Sequence, residues 1–288
     1  MKTEPVNISF FKSKTAVVTG AGGTLCSAVA VELARLGAKV ALLGRTPEKL
    51  ESVAALIRKA GGTALPLVVD VTDVAAVEVA NKTITKELGP CDLLVNGAGG
   101  NRNDAVTSTV AYQPAEIAAD RPENLRGFFN LDPDILLDVI KLNTIGTLIP
   151  SQVFGREMAR RGHGSIVNFA SMNSYRPLSK NLAYSLSKAG VVNLTQWLST
   201  YLAPAGIRVN AVAPGFFAND RSRKILMTED SGLTARGQNV MAHTPMKRFG
   251  EAQDLLGAVC WLLDDERAGF VTGITVAVDG GFSSSSGV

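Results

Sequence analysis

KTAVVTGAGGTLCSAVAVELARL, residues 14–36, is the stretch on which the fold turns. Residues 14–19 read as a buried strand, Gly20, Gly22 and Gly23 follow at once, and 28–36 carries a helical apolar pattern. Strand, glycine turn and helix in that order build a site for dinucleotide phosphates. Glycines let the backbone approach a pyrophosphate, and the helix N-terminus offers unpaired N–H groups and the positive end of its dipole. Gly20, Gly22, Gly23, Thr24 and Leu25 are expected there.

Outward from this turn, strand and helix patterns alternate. Strands are predicted over 39–43, 64–69, 92–95, 165–169, 207–212 and 275–278, and helices over 47–60, 132–143 and 181–202. Such alternation implies right-handed crossovers and a parallel, doubly wound sheet of the Rossmann type with helices on both faces. No linker divides the chain, so residues 1–288 are expected to form a single domain. Where the second strand ends, an acidic residue would accept from the adenosine ribose, whereas Arg pairs with a 2′-phosphate. The chain has Gly44-Arg45 there, which favours NADP(H) through Arg45, with NAD(H) as the alternative.

Composition narrows the field. An apolar content of 46% with 19% charged residues suits a globular core, and a net charge of +3 without a block of like charge argues against nucleic acid. Three cysteines without CxxC spacing suggest neither a disulfide framework nor a zinc site, and His163 and His243 lack partners at metal-ligating spacing, so no metal is expected. No uninterrupted apolar run reaches the length of a membrane span, and the N-terminus lacks the apolar core of a signal peptide. A cytoplasmic protein with a small-molecule substrate is the expectation.

The chemistry is expected in SIVNFASMNSYRPLSKNLAYSLSKAGVVNLTQWL, residues 165–198. Tyr184 and Lys188 are four apart, so on a helix both leave one face, and an ammonium beside a phenol favours phenolate. Tyr184 then serves as general acid/base, and Ser171, at the end of a buried strand, donates to a substrate carbonyl.

Taken with the glycine turn, this set resembles the short-chain dehydrogenase/reductase family. Ser171 lies thirteen residues before Tyr184, as that family's pattern has it, and Asn143 in KLNTIG matches the Asn that completes its catalytic tetrad. The resemblance implies that Asp70 and Val71 contact the adenine side. It also implies that Asn96, Ala98 and Gly99 form the turn after the fourth strand, and that Pro214 and Gly215, with Phe217 beyond, cover the nicotinamide. Two departures stand out: Thr24 and Cys26 occupy the second and third glycine positions of TGxxxGxG, where side chains would crowd the phosphate or the helix–strand contact, and Gly97 replaces the second Asn of NNAG.

A narrower resemblance is to the family's D-mannonate oxidoreductase (fructuronate reductase) branch, carried by GAGGN, FASMNSYRPL, NLTQWL and APGFF. It implies interconversion of D-fructuronate and D-mannonate. A polar insertion at about 100–131 and a lid at about 215–248 are expected to choose the substrate. Asn101, Arg102, Asn173, Arg176, Arg221 and Arg223 are candidate contacts for a sugar acid, since Arg holds carboxylates bidentately. Other substrates stay open: a neutral polyol, a ketogluconate or a 3-ketoacyl compound. So does a non-catalytic nucleotide sensor on the same fold. The family also implies a homo-oligomer, a tetramer or dimer, with Asp279-Gly280-Gly281 near an interface.

Overall fold

A computed structural model of the chain describes residues 8–219, 225–230 and 232–285. Seven parallel strands form one sheet in the order β3-β2-β1-β4-β5-β6-β7. They are β1 (Thr15–Thr19), β2 (Lys39–Gly44), β3 (Thr63–Val68), β4 (Leu93–Asn96), β5 (Gly164–Phe169), β6 (Ile207–Pro214) and β7 (Thr275–Val278). The order reverses between β1 and β4, and in a sheet wound this way a cleft opens beyond the carboxyl ends of those two strands.

Alternation along β1 shows how the layers form. Ala16 and Val18 face a cluster with Val29 and Leu33 of α1 (Thr24–Arg35), Leu50 and Ile57 of α2 (Pro47–Lys59), and Leu255 and Val259 of a late helix, Ala252–Leu263. Val17 faces the opposite cluster, with Val77 and Ile84 of α3 (Val74–Glu87) and Val153, Phe154 and Met158 of α5 (Gly146–Arg161). The inner strands β1, β4, β5 and β6 are buried along their whole length, which is why they read as nearly continuous apolar runs, whereas the edge strands β3 and β7 are only half-buried. Helices α3 and α5 and the helices Ala235–His243 and Ala252–Leu263 are additional to those expected from sequence.

The helix expected over 132–143 is interrupted. Helix α4 (Pro133–Ile140) gives way to a π-helical turn, Lys141–Ile145, before α5 begins. Helix α6 (Leu182–Leu202) carries Tyr184 and Lys188 as expected. The insertion contains only short 3₁₀ turns, Asn103–Ala105, Pro114–Ile117 and Phe128–Asn130. Its backbone is held by Arg126, which donates to the carbonyls of Val106 (2.7 Å) and Asn103 (2.8 Å). It is tied to the segment ahead of α6 by Lys180, whose Nζ donates to the Ser108 carbonyl at 2.7 Å. In the segment expected to act as a lid, α7 (Ala235–His243) is described; α8 is the Ala252–Leu263 helix. No described helix is long and apolar enough to cross a membrane.

Candidate active site

At the carboxyl ends of β1 and β4 lies a cavity of about 580 Å³ that brings together the glycine turn, Arg45, Ser171, Tyr184, Lys188 and the Pro214-Gly215 loop. Gly20 adopts φ +68°, and a Cβ there would come within 2.8 Å of the Ala98 backbone. A Cβ on Gly22 would lie 2.9 Å from the Cβ of Lys49. Gly23 precedes α1 without any side-chain cap, so the N–H groups of the first turn are left for a ligand. This cradle fits a dinucleotide pyrophosphate. Thr24 and Leu25 line it, and α1 starts at Thr24, earlier than its apolar pattern suggests.

The turn after β4 is fixed to β1 by one hydroxyl. Thr19 Oγ1 accepts from both Gly97 N and Ala98 N at 3.1 Å. Asn96, by contrast, points into the sheet: its Nδ2 donates to Ser151 Oγ and Asn168 Oδ1, each at 2.9 Å. Gly99 is close to both Asn143 and Lys188, since a Cβ on it would meet Asn143 Oδ1 at 2.5 Å and Lys188 Nζ at 3.3 Å. Asp70 accepts from Thr72 N and Oγ1, bonds that hold its carboxyl below the usual range, and Val71 is buried beside Gly146.

Asn143 sits fully buried in the π turn. Its Oδ1 accepts from Gly100 N at 3.0 Å, and its Nδ2 donates to the carbonyls of Gly100 (2.7 Å) and Val139 (2.8 Å). The amide thus clamps α4 to the loop beside Lys188. Lys188 is buried, donates from Nζ to the Phe169 carbonyl at 2.6 Å, and lies 5.9 Å from the centre of the Tyr184 ring. Burial pushes its pKa down to about 8. Burial also pushes the Cys26 thiol up to about 12, so at pH 7 Cys26 is neutral and gives Lys188 no counter-charge. Ser171 Oγ accepts from Asn173 N at 3.2 Å and lines the cavity.

The candidate substrate residues are dispersed. Arg102 is held by Asp104 and Asp138, each at 2.6 Å, and lines a neighbouring recess with Asp70 and Lys141. Arg176 is exposed and donates to the Ser285 carbonyl at 2.6 Å. Asn101 donates to Asn181 Oδ1 at 2.9 Å, next to the start of α6. The Asn173 side chain is buried and lines a recess on the insertion side of α6. Arg221 and Arg223 lie outside the described residues. Thr46, Lys49 and Asn219 also line the main cavity, although sequence reasoning did not single them out. For Lys49 a signal was available: it stands in the first turn of the helix that follows Gly44-Arg45.

A dinucleotide cradle joined to a buried lysine, a tyrosine and a serine defines a nicotinamide-dependent oxidoreductase. The family model described as short chain dehydrogenase matches residues 14–230. The uncharacterized oxidoreductase UxuB of Bacillus subtilis is 46% identical, with 96% of each chain covered. A Haemophilus influenzae structure with bound NAD, provisionally named a D-mannonate oxidoreductase, is 40% identical with a TM-score of 0.89, covering 96% of this chain and 97% of that one. A gluconate 5-dehydrogenase from Burkholderia cenocepacia, in complex with NADP and tartrate, is 28% identical with a TM-score of 0.80, covering 96% and 99%. The chain belongs to the short-chain dehydrogenase family, and it is an NAD(P)-dependent oxidoreductase acting on alcohol and ketone groups.

Proposed function

We propose that the chain interconverts a sugar acid and its keto form, D-mannonate and D-fructuronate, with NADP(H) as the favoured dinucleotide. The observation that carries the chemistry is the convergence of Ser171, Tyr184 and Lys188 on the cavity that holds the phosphate cradle. Likeness to the Haemophilus protein supports the substrate. The bound nicotinamide supplies or accepts the hydride. Ser171 and Tyr184 hold the substrate oxygen, and Tyr184 transfers its proton. Lys188, charged at pH 7 below its pKa of about 8, stabilises charge developing on the Tyr184 oxygen. Asn143 keeps the loop at Gly100 in place beside Lys188. Arg45 and the lack of a carboxylate at the end of β2 support NADP(H).

One observation favours a second reading, a neutral polyol or ketose. Arg102 is held by Asp104 and Asp138, and Arg176 donates to the Ser285 carbonyl, so neither guanidinium is left free for a substrate carboxylate. A homo-oligomer, a dimer or tetramer, is also part of the proposal. It is supported by the exposed apolar face of α6, where Trp197 stacks on Tyr201 at 4.6 Å.

The test offers NADPH and NADH in parallel to the purified protein with fructuronate, tagaturonate and a neutral ketose, following absorbance of the reduced nicotinamide. Oxidation specific to a uronate supports the reading. Turnover of the neutral ketose alone replaces it with a polyol reductase, and silence on every substrate with dinucleotide binding intact points to a sensor. Tyr184→Phe should abolish turnover and leave dinucleotide binding nearly unchanged.

A further inference from the structure

We infer that Arg176 is a positioning residue: by holding the segment 282–285 that follows β7, it keeps Phe216 and Phe217 in place on the wall of the dinucleotide cavity. Pro214, Gly215 and Phe217 line that cavity. The inference needs a dinucleotide site there and does not depend on the sugar-acid reading above.

The contacts run outward from the end of β7. Gly215 N donates to the Val278 carbonyl at 2.9 Å, and a Cβ on Gly215 would lie 2.6 Å from that of Asp279, so the loop after β6 is seated directly on β7. The Asp279 carboxylate accepts from Gly281 N at 2.9 Å and Ser283 N at 2.8 Å, and Gly280 and Gly281, at φ +63° and +86°, make the turn. A 3₁₀ turn, Phe282–Ser284, follows and sets the Phe282 ring edge-on to Phe216, with centroids 5.3 Å apart. Arg176, on the loop that begins at Ser171, then donates to the Ser285 carbonyl at 2.6 Å.

Two loops that wall the cavity, one carrying Ser171 and the other Phe217, are thereby joined through a segment that belongs to neither. Arg35, Arg58, Arg102 and Arg248 each hold a carboxylate, whereas Arg176 holds none among the described residues. Its partner is a main-chain carbonyl 109 positions on, a contact that exists only while the segment lies across the loop. A chain segment near a terminus frays unless it is tied down. Once tied, it keeps Phe282 packed behind Phe216. On the other side, Ala218 N donates to the Gly250 carbonyl at 2.8 Å and Gly250 N to the Phe216 carbonyl at 2.9 Å, and a Cβ on Gly250 would meet the Phe217 ring at 3.0 Å. Phe217 is buried between these supports.

The test reads the loop directly, by hydrogen exchange on peptides spanning 214–219 in the protein without dinucleotide. It reads the cavity by the fluorescence gain of NADPH and NADH on binding, which reports how far the nicotinamide is shielded from water. Arg176→Ala and Phe282→Ala should each speed exchange by about threefold and reduce the fluorescence gain. The double variant should do no more than either alone, because both act through one segment. Arg176→Lys, which keeps a charged donor, should restore the wild-type values. Arg176 is exposed and Phe282 half-buried, so the variants should fold normally. Additive effects, or exchange unchanged in Arg176→Ala, would overturn the inference. So would a variant altered only in KM for a uronate, which would make Arg176 a substrate contact. No substrate enters the exchange and binding measurements, so failure of the sugar-acid reading would leave their outcome unaffected.

Discussion

The sulfur of Cys26 fills the space that a side chain at position 97 would need: a Cβ built on Gly97 would overlap the Cys26 Sγ. Two departures from the family's pattern, far apart in sequence, are therefore one exchange. The third position of the glycine turn gains a side chain, and the turn after β4 gives one up. Helix α1 keeps its close approach to the sheet because the added volume enters space vacated by the neighbour.

This exchange predicts a signature in stability. Gly97→Asn alone forces the thiol and the new side chain together and should cost about 1–3 kcal/mol. Cys26→Gly alone should also destabilise, through lost burial and a glycine in the first turn of α1. The double variant should be more stable than the sum of the two costs predicts, with a coupling of about 1–2 kcal/mol in a urea-denaturation cycle. Strict additivity would show that the two positions do not share one space.

Asn143 should matter to the fold as well as to the chemistry. Its side chain is buried, and Asn143→Ala leaves the N–H and carbonyl of part-buried Gly100 without their partner. A cost of about 2–3 kcal/mol and a midpoint lowered by about 5 °C are expected, together with weaker dinucleotide binding as the Gly99-Gly100 loop loosens. An unchanged midpoint with normal affinity would contradict the clamp.

What was legible in the sequence, and what was not, divides along range. The strand, turn and helix over 14–36 and the pair Tyr184 and Lys188 are local patterns, governed by periods of two and 3.6 residues, and they were readable. Asn143 was readable as a residue, but the π turn around it was not, because one extra residue in a helical turn leaves the apolar pattern on either side intact. Cys26 and Gly97 each read as an oddity, since reciprocity between residues seventy-one apart appears only when β1 and β4 are side by side. Arg102 illustrates the opposite case. Its residue type suits a carboxylate, but Asp138, brought near by α4, already supplies one.

The exposed face of α6 predicts association. Trp197 and Tyr201 present stacked rings at 56% and 67% exposure, with Leu186 about three turns from Trp197 on the same helix at 55%. Replacing Trp197 and Tyr201 together by Asp should shift the mass measured by light scattering after gel filtration to a smaller species. A variant with the wild-type mass would move the interface elsewhere.

Lys188 gives the protein a pH dependence whose sign follows from burial. In the unfolded chain its pKa returns to 10.5, whereas in the fold it is about 8, so the unfolded state binds more protons across that interval. Stability contributed by this residue therefore rises as pH climbs from about 8 to 10.5, and below that window the buried ammonium costs on the order of 3 kcal/mol. Lys188→Met, of similar length and without charge, removes the term. The difference in unfolding free energy between wild type and this variant, measured without dinucleotide, should move in favour of the wild type from pH 7 to pH 10. A difference that stays flat over that range would mean the lysine is solvated in the free protein, and that the ammonium is desolvated only when the dinucleotide closes over it.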